Sequence, residues 1–322
     1  MSETFKTTNS LMRHMRESGI QIAGSGDKKA LSRIGYFHGY KGYRFSKQPG
    51  RRIPYADFSQ LKAVVDFDMR TKALLYPQLM RLEMSMKNLA LAVVLDEAGS
   101  SFLPDVYTRL MPGNKKGGMK KKLEVIHHNN RVLLEAYQRS SPIASHYYES
   151  AQQSVPLWAL FEILTLGQFA TFVEQLSDKA LNEIAMGWGL RRSEGQLAPH
   201  LVFAITGLRN AVAHNGTVFD TRFATYTKTK VRHEIREHLH RVVGFPASVQ
   251  LNFDTITDYF VLVVYLTCLL KSPKREIAGL VKEYSAATED LFLRVPFSVH
   301  SMIVHQSSRM KMAQLSRWVR SQ

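Results

Sequence analysis

The feature that most restricts this fold is the spacing of its apolar residues, which recur every three or four positions and seldom every second one. From Asp57 onward, Phe58, Leu61, Val64, Val65, Phe67 and Met69 keep that step, which places their side chains on one face of a helix. A second run, Leu79 to Leu95, repeats it after Tyr76-Pro77, with Leu82, Met86, Leu89 and Val93 as the stripe and Arg81, Glu83 and Lys87 between. Gly99-Ser100-Ser101 and Pro104 close that run. Helical spacing returns over Leu123 to Tyr137, after Pro156, and over Phe169 to Leu176, with Asp178 as an N-cap for the next helix. Pro199 to Leu208 leads directly into Arg209, and Phe253 to Leu270 reads as a buried core helix. Few stretches alternate as a half-buried strand does, and no glycine-rich loop follows a strand, so neither nucleotide-binding fingerprint is present. The expected fold class is all-α.

Three regions read as irregular. Gly24-Ser25-Gly26 is a loop by composition. Leu31 to Phe45, LSRIGYFHGYKGYRF, is aromatic and basic together, with Gly35, Gly39 and Gly42 interrupting it. Residues 112 to 122, PGNKKGGMKKK, form a basic, glycine-containing loop. Lys115, Lys116, Lys120, Lys121 and Lys122 there are either a solvated tether, the reading we favour, or a clamp on phosphates.

At 45% apolar and 22% charged residues, the chain has the balance of a globular protein and not of a disordered one. Its single cysteine, Cys268, excludes an internal disulfide framework and a multi-cysteine zinc site, and reads as a small buried hydrophobe. Met1 to Ser10 lacks the apolar segment of an export signal, and Tyr259 to Leu270 is too short to span a bilayer. A cytoplasmic protein with no membrane partner is expected. Lys and Arg number 43 against 27 Asp and Glu, a formal net charge of +16, which attracts polyanions. Nucleic acid is the expected partner; anionic membrane surfaces are the other candidate, but no lipidation signal or strongly basic amphipathic anchor supports them.

Arg209-Asn210-Ala211-Val212-Ala213-His214-Asn215 is the segment with chemistry in it. Cleaving RNA without a metal requires a proton taken from the ribose 2′-hydroxyl, a proton given to the leaving 5′-oxygen, and a cation beside the phosphorane. Histidine titrates near neutrality and suits the proton transfers. Arginine keeps its charge and offers a planar fork of donors to phosphate oxygens. Asn210 can contact phosphate or orient the histidine. Residues five apart on a regular helix point about 140° away from each other, so Arg209 and His214 converge poorly within one straight helix. Asn215-Gly216, tolerant of the left-handed conformation, marks a helix end just past His214. Two copies across a two-fold interface, or a helix end that bends, bring them to one cleft; a homodimer with a composite site is the arrangement expected.

Beyond this segment, the sequence resembles the abortive-infection proteins of the AbiD/AbiF-like type, within the wider HEPN group of helical nucleases. HLVFAITGLRNAVAHNGTVFDTRF (200 to 223) is similar to that family's signature. Three further blocks agree in order: GYFHGYKGYRF (35 to 45), FDMRTKALLYPQLMRLEMSMKNLALAVV (67 to 94) and VPLWALFEILTLGQFATFVEQL (155 to 176). Arg44 stands where a bulkier aromatic is usual, and Lys87 where arginine is common. Residues 224 to 322 carry no matching block. The resemblance implies a HEPN-like helical bundle; with the pattern along the chain, the expected domains are a flexible segment over 1 to 30, the helical domain over 31 to 270, and a C-terminal helical extension over 271 to 322. It implies a metal-independent endoribonuclease, acting in phage defence or as a toxin, with Arg209 and His214 catalytic and Asn210 supporting. No cofactor and no metal are expected. A non-coding RNA or an antitoxin is the regulator it suggests. The alternative is a non-catalytic RNA-binding or antitoxin-like module on the same scaffold; a DNA-binding regulator is disfavoured, since no recognition helix is evident.

Other residues keep two readings. Glu83 and Lys87, four apart, either pair along a helix surface or line the cleft and orient Arg209. Glu162 sits in an apolar stretch and needs a partner, either Arg209 or a structural contact, and Asn215 supports the helix end. Trp158 reads as core. Lys41 and Arg44 contact RNA if the aromatic block stacks bases; the block reads more readily as a packed cap on the core.

Overall fold

The computed structural model describes residues 7–47, 51–113, 117–150, 154–226 and 229–322. Among them are fifteen α-helices and no strand, only isolated bridges such as Gln21 with Asp57. The all-α expectation holds.

The axis of the molecule is α3, Phe58–Ala98. At 41 residues it is about 60 Å long. Asp57 caps its first turn by accepting from the Gln60 amide, and Gly99 ends it in the left-handed conformation. The two apolar runs of the sequence are therefore one helix. Pro77 removes an amide donor, but it lies on the exposed face. The buried stripe Leu75, Leu79, Leu82, Met86, Ala90, Val94 passes beside it without losing step.

Toward the N-terminus, α1 (Thr8–Glu17) and α2 (Gly24–Gly39) pack on each other and α2 on α3. Within the stretch expected to be flexible, Leu11, Met12, Met15, Ile20 and Ile22 are buried in the common core. The Gly24-Ser25-Gly26 loop is instead the first turn of α2, because burial of Leu31 outweighs the weak helix propensity of glycine. Gly35, at φ 75°, breaks that helix with a kink.

Against α3 lie α4 (Leu103–Leu110), α7 (Leu157–Ile163), α9 (Asp178–Gly187) and α10 (Leu197–Ala213). The cap of α9 is Ser177, not Asp178. The helix α5 (Gly118–Gln138) begins five residues before the periodicity suggests, so Lys120, Lys121 and Lys122 lie within its first two turns and not in a loop. Lysine is a good helix former, and the turn before the helix needs glycine where Gly113 and Gly117 are left-handed and where a Cβ on Gly118 would stand 2.9 Å from the Gly113 carbonyl. α6 (Pro142–Tyr148) packs on α5, and α8 (Leu166–Glu174) packs on α10. A reciprocal box of Thr165 and Gln168 starts α8.

The C-terminal part is α11 (Thr229–Val243), α12 (Ile256–Leu269), α13 (Lys274–Arg294), α14 (Phe297–Ile303) and α15 (Ser308–Ser321). α12 is buried on every side from Ile256 to Thr267, as its all-round apolar sequence requires. It contacts α3, α13 and α15, and α13 runs along α3. No helix among the described residues is long and apolar enough to cross a membrane.

Candidate active site

The segment Arg209 to Gly216 is the end of α10. His214 is its C-cap, with its amide bonded to the Asn210 carbonyl at 3.0 Å. Asn215 takes φ 53°, the left-handed turn anticipated for it. The Gly216 amide then reaches back to the Ala211 carbonyl at 2.7 Å, and the Asn215 amide to Val212 at 3.4 Å. This pair of reversed bonds closes the helix as a Schellman motif. His214 is thereby held through its backbone while its side chain is exposed.

Arg209 is oriented from α3. Its Nε donates to Glu83 Oε2 at 2.6 Å, and its Nη1 to Asn210 Oδ1 at 3.3 Å. Lys87 Nζ lies 3.3 Å from the other Glu83 oxygen and donates to the Leu164 carbonyl at 2.6 Å. Glu83 is thus shared between two cations at a half-buried position, with side-chain exposure of 12% against 25% for Arg209. Of the two readings of Glu83 and Lys87, the structure shows the pairing, and it adds a contact from the same carboxylate to Arg209. Asn210 links the two halves, through its side chain to Arg209 and through its carbonyl to His214.

The carboxylate at Arg209 is Glu83 and not Glu162. Glu162 and Trp158 share the outer face of α7, four residues apart, while Leu157, Ala159, Leu160 and Phe161 are buried. Trp158 is 42% exposed and meets the Tyr147 ring edge-on, so it is not core.

Beneath the motif lies a buried polar hub that sequence reasoning missed. Asp68, fully buried, accepts from the amides of Val218 (2.7 Å) and Phe219 (2.8 Å), from Tyr43 Oη (2.7 Å), and pairs with Lys72 Nζ at 2.9 Å. Lys72 also donates to Asn215 Oδ1 at 2.7 Å and lies 3.3 Å from the Gly216 carbonyl. Burial, and then the Asp68 carboxylate, push the Tyr43 hydroxyl far above its usual range, so it remains a donor. The Tyr43 ring stacks on Phe219 at 5.4 Å. Next along the chain, Asp220 accepts from the Lys47 amide and from Arg222, whose Nη2 also donates to the Phe45 carbonyl at 2.9 Å. The aromatic N-terminal block and the loop after His214 are one structure. A signal was available: Asp68 and Lys72 occupy positions where the buried stripe of α3 calls for apolar side chains.

The aromatic block is a packed cap, with Tyr40 and Tyr43 fully buried. Arg44 is half-buried, its guanidinium 4.8 Å from the Phe45 ring centre and 5.6 Å from that of Tyr40, while Lys41 is exposed. Lys120 and Lys121 are exposed on α5, with Lys122 partly covered. Lys115 and Lys116 lie outside the described residues. Gly207 is required where the turn Arg222–Tyr226 crosses α10, because a Cβ there would stand 2.5 Å from the Phe223 carbonyl.

The sequence model of the family described as Abi-like protein matches residues 29–220. The chain belongs to the Abi-like protein family. The matched span opens within α2 and closes at Asp220, so it encloses the hub, Glu83 and the Arg209–His214 segment. Neither the comparison with curated proteins nor that with solved structures found a match. Membership in the Abi-like family supports a role in abortive infection.

Proposed function

We propose that this Abi-like protein is a metal-independent endoribonuclease acting in phage defence, with Arg209 and His214 as its catalytic groups. The observation that carries the reading is the way the two side chains are held. A guanidinium oriented by Glu83 and an imidazole on a rigid helix end both reach solvent from the same terminus of α10. His214 takes the 2′-hydroxyl proton as that oxygen bonds to phosphorus. Arg209, with two nitrogens engaged by Glu83 and Asn210, directs remaining N–H donors to the phosphorane oxygens. The P–O5′ bond then breaks, and the leaving oxygen takes a proton from a second imidazolium. In a two-fold homodimer that group is His214 of the other copy. The products are a 2′,3′-cyclic phosphate and a 5′-hydroxyl end.

The test is incubation of wild type and His214→Ala with total RNA in the presence of a chelator, followed by mapping of the ends. Cleavage by wild type alone, unaffected by chelation, is expected. Cutting by the variant at the wild-type rate would remove the assignment. A fully active monomer in sedimentation experiments would remove the composite dimer site, and with it the other copy's His214 as the acid, while leaving Arg209 and His214 of one copy in their roles.

A further inference from the structure

The C-terminal helices lie outside the family match and play no part in the site above. α13 and α15 run antiparallel, with Glu289 near the end of one bound bidentately by Arg309 at the start of the other, at 2.7 Å for both contacts. Between them is an open groove of about 540 Å³. Val281, Met312 and Val319 form its buried floor. The small side chains of Ala278, Ser285, Ala313 and Ser316 keep it open. Lys282 and Arg320 are exposed on its opposite walls, and neither is ion-paired among the described residues.

A further cavity adjoins the groove at each end. Beyond the Glu289–Arg309 pair lies one of about 300 Å³ lined by Phe292, Phe297, His300 and His305. Phe297 is 59% exposed. At the other end, past Val319, a third cavity is lined by Lys271 and Lys274. From Lys274 to Phe292 along α13 the three cavities together span about 27 Å, and we treat them as one trough. One carboxylate lines the central groove, and Arg309 already offsets it.

We infer that this trough binds single-stranded RNA, with Lys282 and Arg320 on phosphates and the Phe297 end stacking an unpaired base. Unpaired cations facing each other across a channel track a phosphate backbone, and exposed aromatic faces at its end take bases irrespective of sequence. An acidic amphipathic helix would match the cations and the apolar floor, but would give the exposed aromatic end no role. The inference rests on RNA being a ligand of the chain, as in the reading above, and not on the catalytic assignment.

Binding is read by fluorescence anisotropy with a labelled 12-mer of uridine, using the full chain carrying His214→Ala so that the probe stays intact. Adding Lys282→Gln and Arg320→Gln together should weaken binding about tenfold near 0.1 M salt, and lower the slope of log K against log salt by about 1.4, at roughly 0.7 per phosphate contact. Phe297→Ala should weaken it about fivefold or more without changing that slope. Arg275→Gln with Arg317→Gln, an equal loss of charge outside the groove lining, should change affinity less than twofold. Equal loss in both double variants, or no binding of the probe by the parent chain, would overturn the trough. Absence of cleavage by wild type together with selective loss in the groove variant would overturn the nuclease reading and leave this one standing.

Discussion

Replacing Asp68 with alanine should cost more stability than any other single truncation near the motif. The side chain is fully buried and accepts from two amides and a phenol besides pairing with Lys72. Removing one member of a buried ion pair costs about 3–5 kcal/mol. Each buried donor left without an acceptor adds about 1–3 kcal/mol when nothing else satisfies it. These contributions share one cavity and do not sum, since water entering the space of the lost carboxylate relieves part of each. About 4–6 kcal/mol is the expected total, set against roughly 5–15 kcal/mol for a typical domain. Lys72→Met should cost less, about 2–3 kcal/mol, because Asp68 keeps three donors while only the acceptors on Asn215 and Gly216 lose theirs. The double variant should be more stable than the sum of the two losses predicts, because neither charge is then stranded. Urea unfolding followed by tryptophan fluorescence measures all three, with buried Trp188 as a reporter. A loss below about 2 kcal/mol for Asp68→Ala, with an unchanged denaturant slope, would refute the hub as the anchor of the motif.

Three shorter predictions follow from other contacts. Glu83→Gln keeps the shape beside Arg209 but removes the charge, and should slow single-turnover cleavage about 10- to 100-fold with little change in the unfolding midpoint. His238 is held below its usual titration range by burial and by Arg241, against the opposing pull of Glu194. The unfolded chain therefore binds a proton that the folded chain resists, and stability is lost as pH falls below about 6.5; His238→Gln should flatten that part of the denaturation profile relative to wild type. The Cys268 thiol is pushed up to about 11 by burial. It should react with a disulfide reagent at pH 8 about a hundredfold more slowly than an ordinary thiol does, and equal rates would contradict the packing around it.

The helices were legible because their buried stripes keep a three-to-four step, and the end of α10 was legible because Asn215 and Gly216 suit only one kind of turn. Where the reading failed, tertiary packing outweighed a local rule. Pro77 interrupts no helix because it faces solvent, and Gly24 and Gly26 belong to one because Leu31 is buried behind them. Trp158 was assigned to the core by residue type, whereas α7 turns it outward together with Glu162. Arg209, Asn210 and His214 were singled out from their chemistry together with the resemblance to the abortive-infection proteins. Asp68, Lys72, Asp220 and Arg222 were not, since their roles depend on contacts more than a hundred residues away in sequence or on a loop with no periodicity to read.

The arginine takes its aim from the axial helix, whereas the histidine is fixed by the terminus of a neighbouring one. Their spacing is therefore a property of how two rods rest against each other, not of the short peptide that contains both. Anything that wedges or relaxes that seam by an ångström would shift the pair without touching either side chain, and in the nuclease proposed above a displacement of that size would cost about a hundredfold in rate.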